Sequence, residues 1–459
     1  MYPLFAKFIY TIIQNLRGVD IFKYIDELEK TQWHASEELK ELQWKRLKEV
    51  LNYAYGNILY YQKRFKEIGI HPDDIKYPQD LVKIPLLNKI DVRDNIHELL
   101  AKNRHQRLIR YSSSGSTGEP LTLFISRMAE GYFHAAQYRG FEWHGIKVGD
   151  KGIKLWGIPL DFQSRQNEKI KDFLLNRKRI SAFDLSQKLV KQLFKRCQRF
   201  QPKFLYGYAS ALYAFSQLLA ENNLDGKSLC LKIIISTSEV LYQHQKDLIE
   251  ATFSCKVIQE YGCAEAGIIA FECPQGNMHI STENVYVEFI SEGKHVSNEK
   301  PGEVIVTVLK NYAMPLIRYK VGDLATPSSG HCPCGRKLPI VHSVDGRESD
   351  MLITPDGNHL HSEIFAYINR RLMDKGGGIK EFRITQRNKE ELFVKIVKSN
   401  KYDNQYIDFF VEQIRSFVGK KMKIYVEYVN SIPLEKSGKK RYFVSEIIEG
   451  FRKKGNKTP

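Results

Sequence analysis

The chain lacks a lysine where a phosphate-binding loop would normally carry one. Residues 111 to 120 read Tyr-Ser-Ser-Ser-Gly-Ser-Thr-Gly-Glu-Pro, and Gly118 is followed by Glu119 and Pro120. In the Walker loop the lysine after the last glycine reaches the β- and γ-phosphates, so its absence excludes the ordinary phosphate-loop NTPases. No apolar run approaches the roughly 18 residues that a membrane span needs. The opening residues have no basic leader and soon meet Lys7, Gln14 and Asn15, so neither a signal peptide nor a membrane span is expected. The cysteines, at 197, 230, 255, 263, 273, 332 and 334, are odd in number and show no disulfide framework. That suits a reducing compartment, and the cytoplasm is the expected location. No zinc-finger, helix-turn-helix or RNP-type pattern is present, so no nucleic-acid partner is expected. Internal repeats and low-complexity tracts are missing as well.

What is there is a large, basic, globular chain. Its 459 residues, 42% hydrophobic, can bury a sizeable core and leave room for two or three domains at about 100–200 residues each. Seventy Lys+Arg against 53 Asp+Glu give a net charge of +17, which attracts anionic ligands and allows peripheral association with an acidic membrane surface without choosing between them. Part of that excess sits after Lys436, and from Arg452 onward it reads as a solvated, frayed tail. In the 111–120 segment, Gly115 and Gly118 free backbone N–H groups, and Ser112, Ser113, Ser114, Ser116 and Thr117 add hydroxyls. Such a loop can wrap a polyphosphate that is destined to leave.

Periodicity gives the outline. Leu39, Leu42, Leu47, Val50, Leu51, Tyr60, Tyr61 and Phe65 predict an all-helical lead-in, about residues 1–85, broken by Pro78 and Pro85. A helix is expected over Met128–Trp143. Leu231–Ile235, Leu241–Phe253 and Val257–Glu260 then read as strand, helix, strand, and this alternation argues for an α/β fold. Strands are expected at Val304–Val308 and Leu316–Tyr319, with a turn at Gly322-Asp323. From Ile379 the pattern becomes strand (Phe382–Thr385), strand (Leu392–Val397), helix (Tyr402–Phe417), strand (Ile424–Val429) and helix (Phe443–Gly450), a small α+β domain.

Four further segments follow the hydroxyl loop in fixed order: Tyr261-Gly262-Cys263-Ala264-Glu265, Arg318 to Asp323, Gly346-Arg347-Glu348-Ser349-Asp350, and Pro433 to Lys439. Taken singly, Asp323 reads as a turn former, Arg347 as a surface cation and Lys439 as one lysine of a basic tail. Together and in order, the segments resemble the signature set of the adenylate-forming superfamily of acyl-CoA ligases, luciferases and adenylation domains. Asn52 to Tyr61 and Ile84-Pro85-Leu86-Leu87-Asn88-Lys89 look like the phenylacetate–CoA ligase branch and its CapK-like relatives encoded with capsule genes.

The resemblance implies a multi-layer N-terminal adenylation domain over residues 1–345, a hinge at 346–351 and a C-terminal α+β lid over 352–459. It implies ATP, magnesium and CoA as ligands, and activation of a small carboxylic acid to an acyl- or aryl-adenylate with release of pyrophosphate, followed by thioester formation. An alternative keeps the adenylation and hands the acyl group to a sugar amine or hydroxyl, or to a carrier-protein thiol. By resemblance, Ser112–Gly118 hold the β- and γ-phosphates, Tyr261 and Gly262 face the adenine with Ser238 and Glu239, and Glu265 ligates magnesium. Asp323 accepts from the ribose hydroxyls, Arg347 adds donors near ribose and phosphate, and Lys439 bridges the attacking carboxylate and the α-phosphate. Catalysis would then rest on Lys439, Glu265 and Arg347.

Departures from the pattern fall at Ala264, where Thr or Ser is common; at Ser236-Thr237-Ser238-Glu239, where Gly-Ala-Glu-Pro is common; and at Ser349, which replaces an acidic hinge residue. They bear on ribose, adenine and hinge contacts. A non-catalytic binding protein that keeps the fold for RNA or anionic lipid is the rival from another class, and the joint presence of Lys439, Glu265, Asp323 and Arg347 weighs against it.

Cys273-x5-His279 and Cys332-Pro-Cys334-Gly335 supply three thiols and an imidazole, a set suited to closed, structural tetrahedral zinc. Cys197, Cys230 and Cys255 read as core residues, and Cys263 as lying near the nucleotide without a catalytic role. Tyr206 to Ser210, with Tyr132, Phe133, Tyr138 and Trp143, are candidates for an acyl pocket. Neither the acid nor the oligomeric state is legible.

Overall fold

Apolar residues at helical spacing build the first layer. In the computed structural model, α1 (Ile21–Thr31) starts at Asp20, whose carboxylate accepts from the Lys23 N–H, and buries Ile21, Ile25 and Leu28. Helix α2 (Ser36–Asn57) buries Leu39, Leu47, Val50, Leu51 and Ala54; α3 (Leu59–Glu67) buries Tyr61 and Phe65. The structure describes residues 8–14, 17–102, 108–112, 121–157, 162–182, 187–296, 299–347, 351–356, 359–361, 365, 379–398, 404–433 and 442–447. They fall into two compact units, the first ending at Asp345 and the second resuming at Gly346.

In the first unit an antiparallel ribbon, β1 (Ile109–Ser112) and β2 (Thr122–Ile125), forms a two-stranded sheet of its own, with Ser112 opposite Thr122. Helix α4 (Arg127–Trp143) begins at Ser126, whose Oγ accepts from the Ala129 N–H at 3.1 Å. Then strands and helices alternate: β3 (Gly152–Trp156), α5 (Phe162–Leu174), β4 (Arg177–Ser181), α6 (Gln187–Phe200), β5 (Phe204–Tyr208), α7 (Ala209–Glu221), β6 (Ile233–Thr237), α8 (Gln243–Phe253) and β7 (Val257–Cys263). Strands β4, β3, β5, β6 and β7 pair in parallel in that order.

Strand alternation sorts the side chains to two faces. Ile153, Leu155, Leu205, Ile234 and Val257 meet α6, α7 and α8 on one side; Phe204, Tyr206, Ile233, Ile235 and Ile258 meet α1 and α4 on the other. Both faces are covered, which is the condition that lets parallel strands run nearly continuously apolar.

The sheet continues through β8 (Gly267–Glu272), β9 (Met278–Ile280), β10 (Val285–Ser291), β11 (Lys294–His295), β12 (Gly302–Val308), β13 (Tyr319–Ser328) and β14 (Ile340–Arg347). The full order is β11-β10-β12-β13-β14-β9-β8-β7-β6-β5-β3-β4. A separate core forms where α2 and α3 meet β10, β12 and β13. Leu87 bridges to Tyr319 in parallel, its N–H donating to the Arg318 carbonyl at 3.0 Å while its carbonyl accepts from the Lys320 N–H at 2.8 Å.

The second unit contains the ribbon β15 (Met351–Ile353) and β16 (His359–His361), and a sheet of β17 (Ile379–Asn388), β18 (Glu391–Lys398), β19 (Lys423–Tyr428) and β20 (Phe443–Ser445) in the order β19-β18-β17-β20. Helix α9 (Asn404–Val418) lays Ile407, Phe410, Ile414 and Val418 on Phe382, Ile384, Leu392, Val394 and Ile396. The Gln386 amide holds both backbone groups of Ile353, at 2.6 and 3.0 Å, and so ties β15 to this sheet.

The α/β architecture with a small α+β unit is therefore present, and local expectations need correcting at four points. Of the strand expected at Leu316–Tyr319 only Tyr319 is strand; Leu316–Arg318 bend into β13, with Arg318 at φ +51°. Gly322-Asp323 lies inside β13, where Gly322 has φ +88°, rather than in a turn between strands. Residues 443–445 form a strand parallel to Ile384–Gln386 instead of opening a helix. Cys230 is exposed, at a left-handed φ of 48°, rather than in the core.

Candidate active site

In an open α/β sheet, ligands gather beyond the carboxyl ends of the parallel strands. Strand β7 ends in Tyr261-Gly262-Cys263, and Glu265 follows in the turn to β8. The Tyr261 hydroxyl donates to Asp323 Oδ2 at 2.9 Å, and the Tyr319 hydroxyl lies 3.4 Å from Glu265 Oε1. Both contacts link β13 to the β7–β8 segment, although β14, β9 and β8 lie between β13 and β7 in the sheet. Burial first, then the nearby Glu265 and Asp323 carboxylates, push the Cys263 thiol well above its ordinary pKa. The two carboxylates share its neighbourhood.

Backbone geometry explains the residue types. A Cβ on Gly262 would stand 2.3 Å from the Gly267 carbonyl oxygen, and Gly267 has φ +70°. Glycine at both positions permits the bulge that turns β7 into β8. After β6, Ser238 takes φ +67°, and Glu239 accepts the Ser210 N–H at 2.8 Å, which holds that loop to the N-terminus of α7.

The strand carrying Tyr319 and Asp323 is supported from below. The Tyr61 hydroxyl donates to the Pro315 carbonyl and accepts from the Ile317 N–H, each at 3.0 Å. Arg318, buried at φ +51°, donates to Glu288 at 3.0 Å and to the Ile84 carbonyl. The segments Asn52–Tyr61 and Ile84–Lys89 thus act as scaffold for β13.

Ser112 closes β1; Ser113, Ser114, Gly115, Ser116, Thr117 and Gly118 lie outside the described residues, as do Lys439 and the side chains of Ser112 and Arg347. The backbone of Arg347 ends β14. The expected aromatic pocket is divided. Tyr132 donates to Glu27 at 2.6 Å and stacks on Tyr24, while Trp143 donates to Gln32 at 2.7 Å and faces His279. At the strand ends, Tyr206 and Tyr208 instead flank Trp156, a residue that sequence reasoning passed over. Glu260 was missed too. It is buried and accepts from Tyr206 (2.7 Å), Thr237 (3.0 Å) and Gln137 (2.9 Å), and burial, opposed by these donors, raises its pKa.

Cys273, His279, Cys332 and Cys334 converge, with all four ligand atoms within 4.8 Å of one another. The Cys273 and Cys332 sulfurs are 3.5 Å apart, and Cys334 Sγ lies 3.4 Å from His279 Nε2. His279 Nδ1 faces the Leu338 carbonyl at 3.0 Å, which makes Nδ1 the donor and leaves Nε2 as the free lone pair. Sulfur spacing, imidazole orientation and donor set fit a tetrahedral thiophilic cation.

Residues 352–446 match the family model of the CapK C-terminal domain. Protein CapK of Staphylococcus aureus is 24% identical over 435 residues, covering 92% of each chain. Phenylacetate-coenzyme A ligase of Aromatoleum evansii is 26% identical over 341 residues, covering 71% of this chain and 74% of the relative. Among solved structures, 2-hydroxyisobutyryl-CoA ligase in its postadenylation state superposes with a TM-score of 0.73 at 20% identity, covering 92% and 93%.

Fold, C-terminal domain and relatives agree in what the chain resembles: the adenylate-forming ligases. More narrowly, the similarity is to CapK, through the C-terminal domain and nearly the whole chain, and to the phenylacetate–CoA ligases over about 70% of it.

Proposed function

We propose that the protein activates a carboxylic acid with ATP and passes the acyl group to CoA. The observation that carries this reading is the Tyr261–Asp323 hydrogen bond beside Glu265: an aromatic ring, an ionised acceptor and a carboxylate gathered at the carboxyl end of β7. A carboxylate oxygen of the acid attacks the α-phosphorus of ATP, the bond to the bridging oxygen of the β-phosphate breaks, and pyrophosphate leaves. The thiol of CoA, losing its proton, then attacks the acyl carbonyl, and AMP departs with the electron pair of the C–O bond.

Tyr261 packs against the adenine, and Asp323 accepts from the ribose hydroxyls. The hydroxyl loop from Ser112 to Gly118 holds the departing phosphates. Arg347 adds donors, and Lys439 bridges the carboxylate and the α-phosphate. Magnesium, for which Glu265 offers a hard oxygen ligand, neutralises phosphate charge when bound. Residues 346–351 serve as the hinge about which a lid, residues 352–459, carries Lys439 in for adenylation and away for transfer. The cysteine–histidine cluster holds structural zinc.

A second acceptor has its own support, because the C-terminal domain is of the CapK type and the similarity to CapK, unlike that to the phenylacetate ligases, spans nearly the whole chain. On that reading an amine, hydroxyl or carrier thiol takes the acyl group in surface-polysaccharide synthesis. Pyrophosphate release from ATP and magnesium, over a panel of acids with and without CoA, decides both questions. Release that requires one acid and collapses in Lys439→Ala establishes adenylation, and CoA turnover chooses the acceptor. No release and no ATP binding would overturn the enzyme reading.

A further inference from the structure

One face of the parallel sheet carries charges that neither phosphate binding nor folding explains. Register places Arg179 of β4, Lys154 of β3 and Tyr206 of β5 side by side, and Trp156 beside Ser181 in the next row. The Lys154 ammonium lies 4.3 Å from the centroid of Trp156 and 5.4 Å from that of Tyr206. Trp156 in turn stacks on Tyr208 at 4.2 Å. Arg177 donates to the Tyr138 hydroxyl at 3.0 Å, and Lys171 of α5 and His134 of α4 belong to the same electrostatic neighbourhood.

Carboxylates reach these cations only beyond ion-pair distance: Glu168 and Glu130 act on Lys171, and Glu168 and Glu260 on Lys154. Arg179 is paired with Asp172 and Glu168, and Arg17 with Glu130. Among the described residues, no carboxylate lies within ion-pair distance of Lys154, Lys171 or Arg177. All three side chains are half-buried: drawn out of bulk water, yet not sealed from it. Burial, then Arg179, Arg177 and Lys171, pull Lys154 down to about 7, with Glu168 opposing. Desolvated cations without a direct ion-pair partner are costly, and an acid with no charge beyond its reacting carboxylate would leave them so. Trp156 and Tyr208 stand at the carboxyl ends of β3 and β5, Lys154 and Tyr206 two residues deeper on the same face, and Arg177 deeper still at the start of β4; Glu168 and Glu130 also neighbour Tyr111 of β1, which leads into the hydroxyl loop.

We propose that the acid activated here carries a second anionic group, carboxylate or phosphate, which Lys154, Lys171 and Arg177 hold while Trp156, Tyr206 and Tyr208 lie along its carbon skeleton. The inference rests on the adenylation reading and names its substrate class. Lys154 is a specificity-determining residue that makes no contact with the reacting atoms.

ATP–pyrophosphate exchange with matched acids tests it: glutarate against valerate, isophthalate against benzoate, 3-phosphoglycerate against glycerate. The expected result is a kcat/KM at least a hundredfold higher for the dianionic member of a pair, and which pair responds separates carboxylate from phosphate. Lys154→Met should raise the KM for that acid about a hundredfold, leave the KM for ATP unchanged, and be partly rescued by Lys154→Arg; Lys171→Met serves if Lys154→Met does not fold. Equal or better exchange with the member that lacks the second anionic group, or an unaltered preference in the variants, overturns the proposal while leaving adenylation standing. If no acid supports exchange, the adenylation reading has failed, and calorimetric titration of the same acids decides this one: dianion binding weakened in Lys154→Met upholds it, and no dianion binding overturns it.

Discussion

The Tyr61 hydroxyl satisfies two buried backbone groups at once, and Tyr61→Phe leaves both without a partner. The expected loss is about 1–3 kcal/mol in urea denaturation. Lys154 sets a pH dependence. Its ammonium form binds an anion, and burial, then Arg179, Arg177 and Lys171, pull its pKa down to about 7 against Glu168, with the Glu260 carboxyl also facing it. The KM for a dianionic acid should therefore stay flat below that point and climb toward tenfold per pH unit above it, whereas that of its monoanionic partner stays level. Lys439→Ala should slow pyrophosphate exchange by about 10²–10³, the loss of one donor at a developing charge, with no change in melting temperature. Tyr261, Asp323 and Glu265 were legible as ordered motif letters. Lys154 was not, because in Gly-Ile-Lys-Leu-Trp it looks like the solvent side of an alternating strand, and its neighbours Arg179 and Tyr206 come from other strands.

Helix α4 shows what periodicity can and cannot deliver. Its bounds follow from the Ser126 cap and the apolar stripe, but Arg139 inside it is only 2% exposed and pairs with Glu283, fully buried, at 2.6 Å. Glu283 also accepts from the Thr31 hydroxyl, and Arg139 donates to the Leu28 carbonyl, so one ion pair joins α1, α4 and the β9–β10 connection. Arg139→Ala should cost about 3–5 kcal/mol by stranding a buried carboxylate, and Arg139→Met considerably less, both read from chemical denaturation. No local pattern announces such a pair, since its partners lie far apart in sequence. The same blindness explains β20: Phe443-Val444-Ser445 fits a helical stripe as well as a strand, and it is the open edge of β17 that decides. At Gly322 the glycine signal was sound and its meaning differed, for a positive φ inside β13 looks the same in sequence as a turn.

At the scale of the whole molecule, the order of motifs pointed to the ligases that the chain resembles, and composition gave a net charge of +17; among the described residues no helix is long and apolar enough to cross a membrane. The cysteine–histidine cluster gathers the β8–β9 turn and the loop before β14, and Arg336, from that loop, stacks on Trp143 and donates to Gln32 at the end of α1. Purified protein should hold one zinc per chain by elemental analysis. Chelation, or Cys273→Ser, should lower the melting temperature by roughly 5 °C or more, a loss of about 3 kcal/mol at around 2 °C per kcal/mol for a large domain. Two of those sulfurs stand 3.5 Å apart, a short move from a covalent bond. With zinc held there, peroxide would turn the ligands into a disulfide and expel the ion, and the endurance of the protein would be coupled to oxidative stress through a group remote from the proposed chemistry.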